Sequence, residues 1–531
     1  MARGGVSFLR ANDSINHENH NQTQKMKTTN PYKLVAALAG AVAFTMAPTR
    51  VQAQESRYED LANLPFVAGY IAKDNTPALL DESFFERAVQ TYLWAIPALN
   101  MYGMMEGSEK VFGKGYNVLP VWKQRLNAKT LVTTPNSDVI YAMGYLDLKE
   151  EGPIVIEVPP RLQGILDDFW QRPIPSVGEI DGRKWAGDVG FAGPDRGKGG
   201  KYLLLAPDYT GVIPPGYFTF RSGTYGVFVF WRAFFKDPKQ LAEPVRLIEQ
   251  TRIYPLGKQD SAKPMQFPDA SGVPANMLYP QDGTAFDMLW RFITHEYVDP
   301  TQMYMRGMAA ELGIVKGQPF APDAKARALL DKAARAATRI GHVTPYSGEP
   351  LLKNKGLWYP GQHWINVFPG NATFTSDSFD YIDARTSFFT YAYSASPGMA
   401  ASIVNVGAKY PSAFADADGD HLQGSKNYKL HIPKDVPVAE FWSVTVYDPI
   451  TGSGLDNGQP FPSINGMDKP VENADGSIDI YFGPTSPGQG KEKNWLATLP
   501  DKGFFVIFRL YGPKQAFYDQ TWKLPDIEKV K

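Results

Sequence analysis

Residues 504–511 read Phe-Phe-Val-Ile-Phe-Arg-Leu-Tyr, an unbroken run of β-formers with one arginine inside it. Gly503 precedes the run and Gly512-Pro513 follows it, so it is too short for a helix and is bounded like a strand. Period-two alternation puts Phe505, Ile507, Arg509 and Tyr511 on one face. An arginine in such an apolar row needs a partner, because an unpaired buried charge is costly. The planar guanidinium suits a carboxylate, and Asp448 and Asp383 (with Arg385) are the candidates.

Similar runs surround it. Tyr428–Ile432, Phe441–Tyr447 and Ile478–Phe482 read as strands, as do Trp364–Phe368 and Phe388–Tyr393, with Asp418-Gly419 and Asp475-Gly476 as turns. Upstream, Val139–Leu146, Ile154–Val158, Tyr202–Leu205, Tyr217–Phe220 and Tyr225–Phe230 have the same texture. Between the two groups the period changes to that of helices, over Lys239–Glu249, Thr284–Tyr297, Thr301–Leu312 and Asp323–Ile340. An earlier helix is expected to open at a capping box, Ser83 with Glu86, and to weaken at Pro97 and Gly103. The reading is an α+β chain with two β-sandwich or jelly-roll-like lobes and a helical segment between them. The lobes are expected over 54–345 and 346–531. No repeat of fixed short period is visible.

The totals agree. The chain has 531 residues, enough for two or three domains, and 13% aromatics with 48 Gly and 43 Pro favour short strands and turns. It has no cysteine, which excludes thiolate catalysis, Cys-ligated zinc, iron–sulfur clusters and disulfides. Six Lys/Arg and two Asp/Glu fall in residues 1–53, which leaves the remainder at −5. That balance offers no basic face for nucleic acid and no polybasic patch for anionic lipid. The N-terminus has the layout of a secretory signal: Met26, Lys27 and Lys33, an apolar run from Leu34 to Ala47, then Val51-Gln52-Ala53 as the cleavage pattern. The run is too short to span a bilayer. Residues 1–25 are expected to be an extra segment from an upstream start, 26–53 the signal peptide, and the protein periplasmic or secreted.

Several strings resemble a known pairing of bacterial domains. T-P-N-S-D-V-I-Y at 134–141, G-P-D-R-G-K-G-G-K-Y-L-L-L at 193–205 and G-Y-F-T-F-R-S-G-T-Y-G at 216–226 resemble domain of unknown function 1254. F-W-S-V-T-V-Y-D at 441–448, P-F-P-S-I at 460–464, N-A-D-G-S-I-D-I-Y-F-G-P at 473–484 and F-V-I-F-R-L-Y-G-P at 505–513 resemble its partner, domain of unknown function 1214. The resemblance implies an exported or periplasmic two-domain protein with a jelly-roll-like C-terminal lobe, and it carries over no catalytic residues to this chain.

The chemistry-bearing motifs are sparse. There is no Gly-x-Ser-x-Gly and no phosphate-loop pattern. The Gly193–Lys201 loop, with Arg196, Lys198 and Lys201, could grip an anion or simply connect strands. His295 with Asp299 starts like a zinc helix but lacks the second imidazole. Asp416, Asp418 and Asp420 have calcium-loop spacing without the distal Glu. The best functional guess is a hydrolase for an extracytoplasmic glycan, ester or amide, drawing two facing carboxylates from Asp138, Asp168, Asp383 and Asp448. Asn136, Tyr141, Trp170, Trp442, Trp495, Arg509 and Tyr511 are the expected substrate-binding residues. The alternatives are a non-catalytic carbohydrate- or envelope-binding protein and a metal-dependent enzyme. No cofactor and no metal site is assigned. The expected partner is a small-molecule or glycan ligand; a homo-oligomer is left open.

Overall fold

The computed structural model describes residues 57–346 and 356–530. The signal-peptide reading therefore lies outside the described residues. Of the described residues, 57–71 belong to a separate unit holding a small antiparallel hairpin, Phe66–Val67 with Tyr70–Ile71. Ala72 to Lys531 form the second unit, an α+β body.

Its spine is α1, Thr76–Phe112. The helix starts earlier than the Ser83–Glu86 box, with Pro77 in its first turn, and runs on through Pro97 and Gly103. Gly103 is there for space rather than as a stop. A Cβ on it would sit 2.8 Å from the backbone of Leu278. In this unit, the other helices longer than four residues among the described residues are α2 Ala242–Ile248, α3 Thr284–His295, α4 Met303–Ala310, α5 Ala324–Val343 and α6 Ile382–Tyr391. The last is a correction, because Phe388–Tyr393 reads as a strand. Phe388, Phe389, Thr390 and Tyr391 are all buried, so no polar face exposes the helical period. Trp364–Phe368 is not a strand either; Ile365 makes only isolated bridges, to Leu357 and Ser412.

The two facing sheets of the first lobe comprise eight strands: β1 Ile140–Asp147, β2 Ile154–Val158, β3 Gln163–Asp168, β4 Asp188–Val189, β5 Gly200–Leu205, β6 Phe218–Arg221, β7 Gly226–Ala233 and β8 Arg252–Pro255. They pair as two sheets, β1-β7-β3-β4 and β8-β2-β5-β6. Val227, Val229 and Trp231 of β7 and Ile156, Tyr202 and Leu204 of the facing sheet fill the core between them.

The second lobe contains β9 Ala408–Lys409, β10 Ser412–Ala413, β11 Tyr428–Ile432, β12 Trp442–Tyr447, β13 Ser463–Asn465, β14 Ile478–Gly483, β15 Trp495–Ala497, β16 Phe505–Tyr511 and β17 Glu528–Lys529. Its sheets run β9/β10-β16-β12-β13 and β17-β11-β14-β15. With β9 and β10 taken together, strand for strand and in the same chain order, this is the arrangement of the first lobe. Even the one parallel pair recurs, β5 with β6 and β14 with β15. The α+β class and the two-sheet lobes are as the sequence predicts; jelly-roll connectivity goes beyond what these strand orders fix.

The registers align the residues. Gly226-Val227-Phe228-Val229-Phe230-Trp231-Arg232 of β7 runs beside Gly503-Phe504-Phe505-Val506-Ile507-Phe508-Arg509 at β16. Arg232 lies opposite Gln163 of β3, and Arg509 opposite Ser443 of β12. Outward faces of both lobes, with α1 and α6, build a third core that includes Tyr141, Phe228, Phe230, Phe388, Tyr393, Phe441 and Tyr511.

Candidate functional site

A cavity of about 560 Å³ opens between the outward faces of β7 and β16. That is within the ordinary range for small-molecule sites. Phe230 and Arg232 line it from β7, and Phe505, Ile507, Arg509 and Tyr511 from β16. Tyr141, Phe388, Tyr393 and Tyr410 complete an aromatic wall, with Ile365 among them.

Two guanidiniums reach this apolar space. Arg509 is buried, and its terminal nitrogens donate to Thr445 Oγ1 at 3.1 Å and to the Thr134 carbonyl at 3.2 Å. Its charge lies over the Tyr447 ring, 5.5 Å from the centroid. Neither Asp448 nor Asp383 pairs with it. Arg232 lies 5.7 Å from the Phe230 ring centroid, and its buried Nε–H has no acceptor. No carboxylate among the described residues comes within ion-pair distance of either arginine. Arg232 feels Asp188 only at longer range. Burial pushes Tyr141, Tyr393, Tyr410 and Tyr511 upward, so these phenols stay neutral. A neutral phenol is an O–H donor. The cavity therefore offers cations and hydroxyl donors within an apolar shell, the chemistry that receives an anion with a hydrophobic body.

The expected site residues divide sharply. Tyr141, Asp383, Arg509 and Tyr511 line the cavity. Asp383 is exposed, and it is the one of the four candidate carboxylates found there. Asn136 lies beside it, its amide donating to the Tyr511 hydroxyl. Asp138 is instead buried in a polar knot. It accepts from Arg125 at 3.1 Å, Ser463 at 2.9 Å and Asn465 at 2.7 Å. Asp168 caps the turn after β3 by accepting the Trp170 and Arg172 amides, and it pairs with the Arg172 guanidinium at 2.7 Å. Asp448 does the same after β12, accepting the Ile450 amide at 2.8 Å and the Lys502 ammonium at 2.9 Å. Trp170 packs on Trp94, centroids 4.6 Å apart, and Trp442 stacks on Phe508 inside the second lobe. Trp495 donates its indole N–H to the Gly483 carbonyl.

The other motifs resolve into structure. The ammonium of Lys529 lies 3.1, 2.9 and 2.6 Å from Asp416, Asp418 and Asp420, at the place a calcium ion would take. His295 Nε2 sits 3.0 Å from Asp147, and Glu296 accepts the Tyr225 and Gly226 amides. The Gly193–Lys201 loop folds around its own Asp195, which takes the Gly190 and Gly199 amides and the Tyr202 hydroxyl. No group of three His, Asp or Glu able to hold a metal occurs among the described residues. No described helix is long and apolar enough to cross a membrane.

Arg232, Tyr393 and Tyr410 are absent from the sequence-based candidates. The signal for Arg232 is nonetheless the one that singles out Arg509: a lone arginine in phase with Phe228 and Phe230 along an apolar strand.

Fold and cavity together define a two-lobed α+β protein with a cationic, aromatic chamber between repeated sheets. The chain carries two domains of unknown function, DUF1254 matched over residues 116–255 and DUF1214 over 407–515. Among solved structures it is similar to the VPA0106 protein from Vibrio parahaemolyticus, 18% identical with a TM-score of 0.48, covering 84% of this chain and 100% of that one. It is also similar to an uncharacterized protein from Burkholderia cenocepacia, 13% identical with a TM-score of 0.32, covering 86% and 96%. No curated protein matches it.

Proposed function

We propose that this chain binds a small organic acid in the chamber between its lobes, the carboxylate on the arginines and the apolar body among the aromatic rings. The observation that carries the reading is Arg232: a guanidinium on the chamber wall with a buried Nε–H that meets no acceptor. Buried polar groups are nearly always satisfied, and beside a cavity this N–H is one that a ligand oxygen can satisfy, next to the Tyr410 side chain that already meets the guanidinium. A carboxylate would complete the fork with charge-assisted hydrogen bonds. A neutral glycan would leave the charge uncompensated.

The binding reading is favoured over glycoside hydrolysis. That chemistry needs two carboxyl groups about 5–9.5 Å apart across the substrate. Asp383 alone of the four lines the chamber, while Asp138, Asp168 and Asp448 are bonded elsewhere. We further propose that the protein works outside the cytoplasm, on the strength of the N-terminal signal layout; N-terminal sequencing of the native protein checks this, with Gln54 expected first.

Calorimetric titration of benzoate and hexanoate tests the binding reading. Saturable binding is expected, weakened about tenfold or more in Arg232→Gln, in line with one charged hydrogen bond. Absence of heat for both acids, or binding unchanged in the variant, would overturn it.

A further inference from the structure

The two lobes repeat one another, and their contacts are reciprocal. The segment that leads into β1 docks on the second lobe. Thr134 N–H donates to the Gly452 carbonyl after β12, the Tyr447 hydroxyl of β12 donates to the Pro135 carbonyl at 2.6 Å, and Ser463 of β13 donates to Asp138. The segment that leads into β9 docks on the first lobe in the same way. Ser394 N–H donates to the Gln171 side chain after β3, the Ser394 hydroxyl to Asp167 of β3 at 2.7 Å, and Gly398 N–H to Asp188 of β4 at 2.8 Å. The receiving positions correspond by register. Ile165 faces Asp188 as Thr445 faces Ser463, and Asp167 and Tyr447 each come two residues later. Thr134 and Ser394 even share a positive φ, 34° and 62°. Contacts in which each half gives what it receives define an approximate twofold axis. Phe234 and Tyr511, matched by the β7–β16 alignment, touch each other with centroids 6.0 Å apart, as residues at such an axis do.

The chamber lies between the matched faces, and the matched pairs Phe230 with Ile507 and Arg232 with Arg509 both line it, while Phe505 and Tyr511 do so without their counterparts Phe228 and Phe234. Arg232 and Arg509 are the pair that brings charge. Tyr141 and Tyr511 feel both guanidiniums. A buried guanidinium, Arg509, and a half-buried one, Arg232, sharing one apolar space with neither in an ion pair, make a costly arrangement that two negative charges would offset.

We infer that the ligand is a two-headed acid, a dicarboxylate with one head on Arg232, the other on Arg509, and an apolar spacer across the axis. This rests on the binding reading above and narrows its ligand class.

Calorimetry on the wild-type protein compares matched pairs: adipate against hexanoate, and terephthalate against benzoate, with inorganic sulfate as a compact dianion. The inference expects a diacid to bind about tenfold or more tighter than its monoacid, the worth of a second charged hydrogen bond. Arg232→Gln and Arg509→Lys should each bring the diacid down toward the monoacid while affecting the monoacid less. Monoacids that bind as tightly as diacids would overturn the two-headed ligand and leave the acid-binding reading standing. Sulfate that outcompetes every diacid would overturn it also, in favour of one anion held between both arginines. Silence from every probe would overturn both readings. The wild-type comparison needs no variant, so a substitution that fails to fold does not decide the result.

Discussion

Asp138 has no exposed surface and is held by Arg125, Ser463 and Asn465 from both lobes. Its charge is matched inside the protein, which is the pattern of a structural ion pair. Asp138→Asn should lower stability by about 3 kcal/mol, because Arg125 then stays buried without its counter-charge. The urea midpoint measures this, and the titration of acids should be unaffected. Asp188 tests a different balance. Burial raises it from 3.8 to about 6, with hydrogen bonds and Arg232 opposing the shift. The folded state keeps this proton where the unfolded chain has lost it, so stability from this group falls as pH rises from about 4 to about 6. Asp188→Asn should flatten the pH–stability curve across that window, read from thermal midpoints at successive pH values. At this scale the sequence speaks unevenly. Arg509 stands out because an arginine interrupts an apolar strand, and the same logic reaches Arg232. Asp168 and Asp448 stand in sequence among the candidate catalytic carboxylates. Their turn-capping role depends on backbone amides that only the fold brings into range.

Elements show why the strands are legible and some helices are not. Ile154–Val158 and Tyr428–Ile432 fall where the β-branched and aromatic runs put them, because sheet burial follows composition over a few residues. α6 is wrapped by α1, α5 and the cavity wall, so its buried faces conceal the period. Close packing also makes single positions decisive. Gly164 of β3 has the Trp231 ring 2.0 Å from where a Cβ would stand. Gly164→Ala should destabilise by about 2–3 kcal/mol through forced repacking, seen as a lowered thermal midpoint. At the other edge, Lys529 of β17 neutralises three aspartates. In Lys529→Met those oxygens are left to a hard cation. Calcium should then raise the thermal midpoint of the variant and leave that of the wild type unchanged, by binding only the folded form.

From Ala72 onward the described chain holds two sandwiches of one strand order that share a core, and α1 contributes to that core. Asn100 of α1 donates to carbonyls of Phe389 and Ala392 and to Thr133, tying together the segments that enter both lobes. A core contributed by both copies leaves neither able to unfold first, so urea unfolding should follow one transition by tryptophan fluorescence and by circular dichroism. The duplication is hidden in the sequence because its unit is an entire lobe, and only alternation, turns and a few matched residues survive between copies. Register, which pairs Arg232 with Arg509, becomes visible once the strands are in place. The chamber between those arginines is the claim on which the functional account stands. Diffraction from crystals soaked in 4-bromobenzoate tests it most directly, through the anomalous signal of bromine. The account predicts a bromine peak among Tyr141, Phe230 and Tyr393, with the carboxylate density on Arg232 or Arg509. A chamber without that peak at saturating acid, or bromine bound only elsewhere, would contradict it.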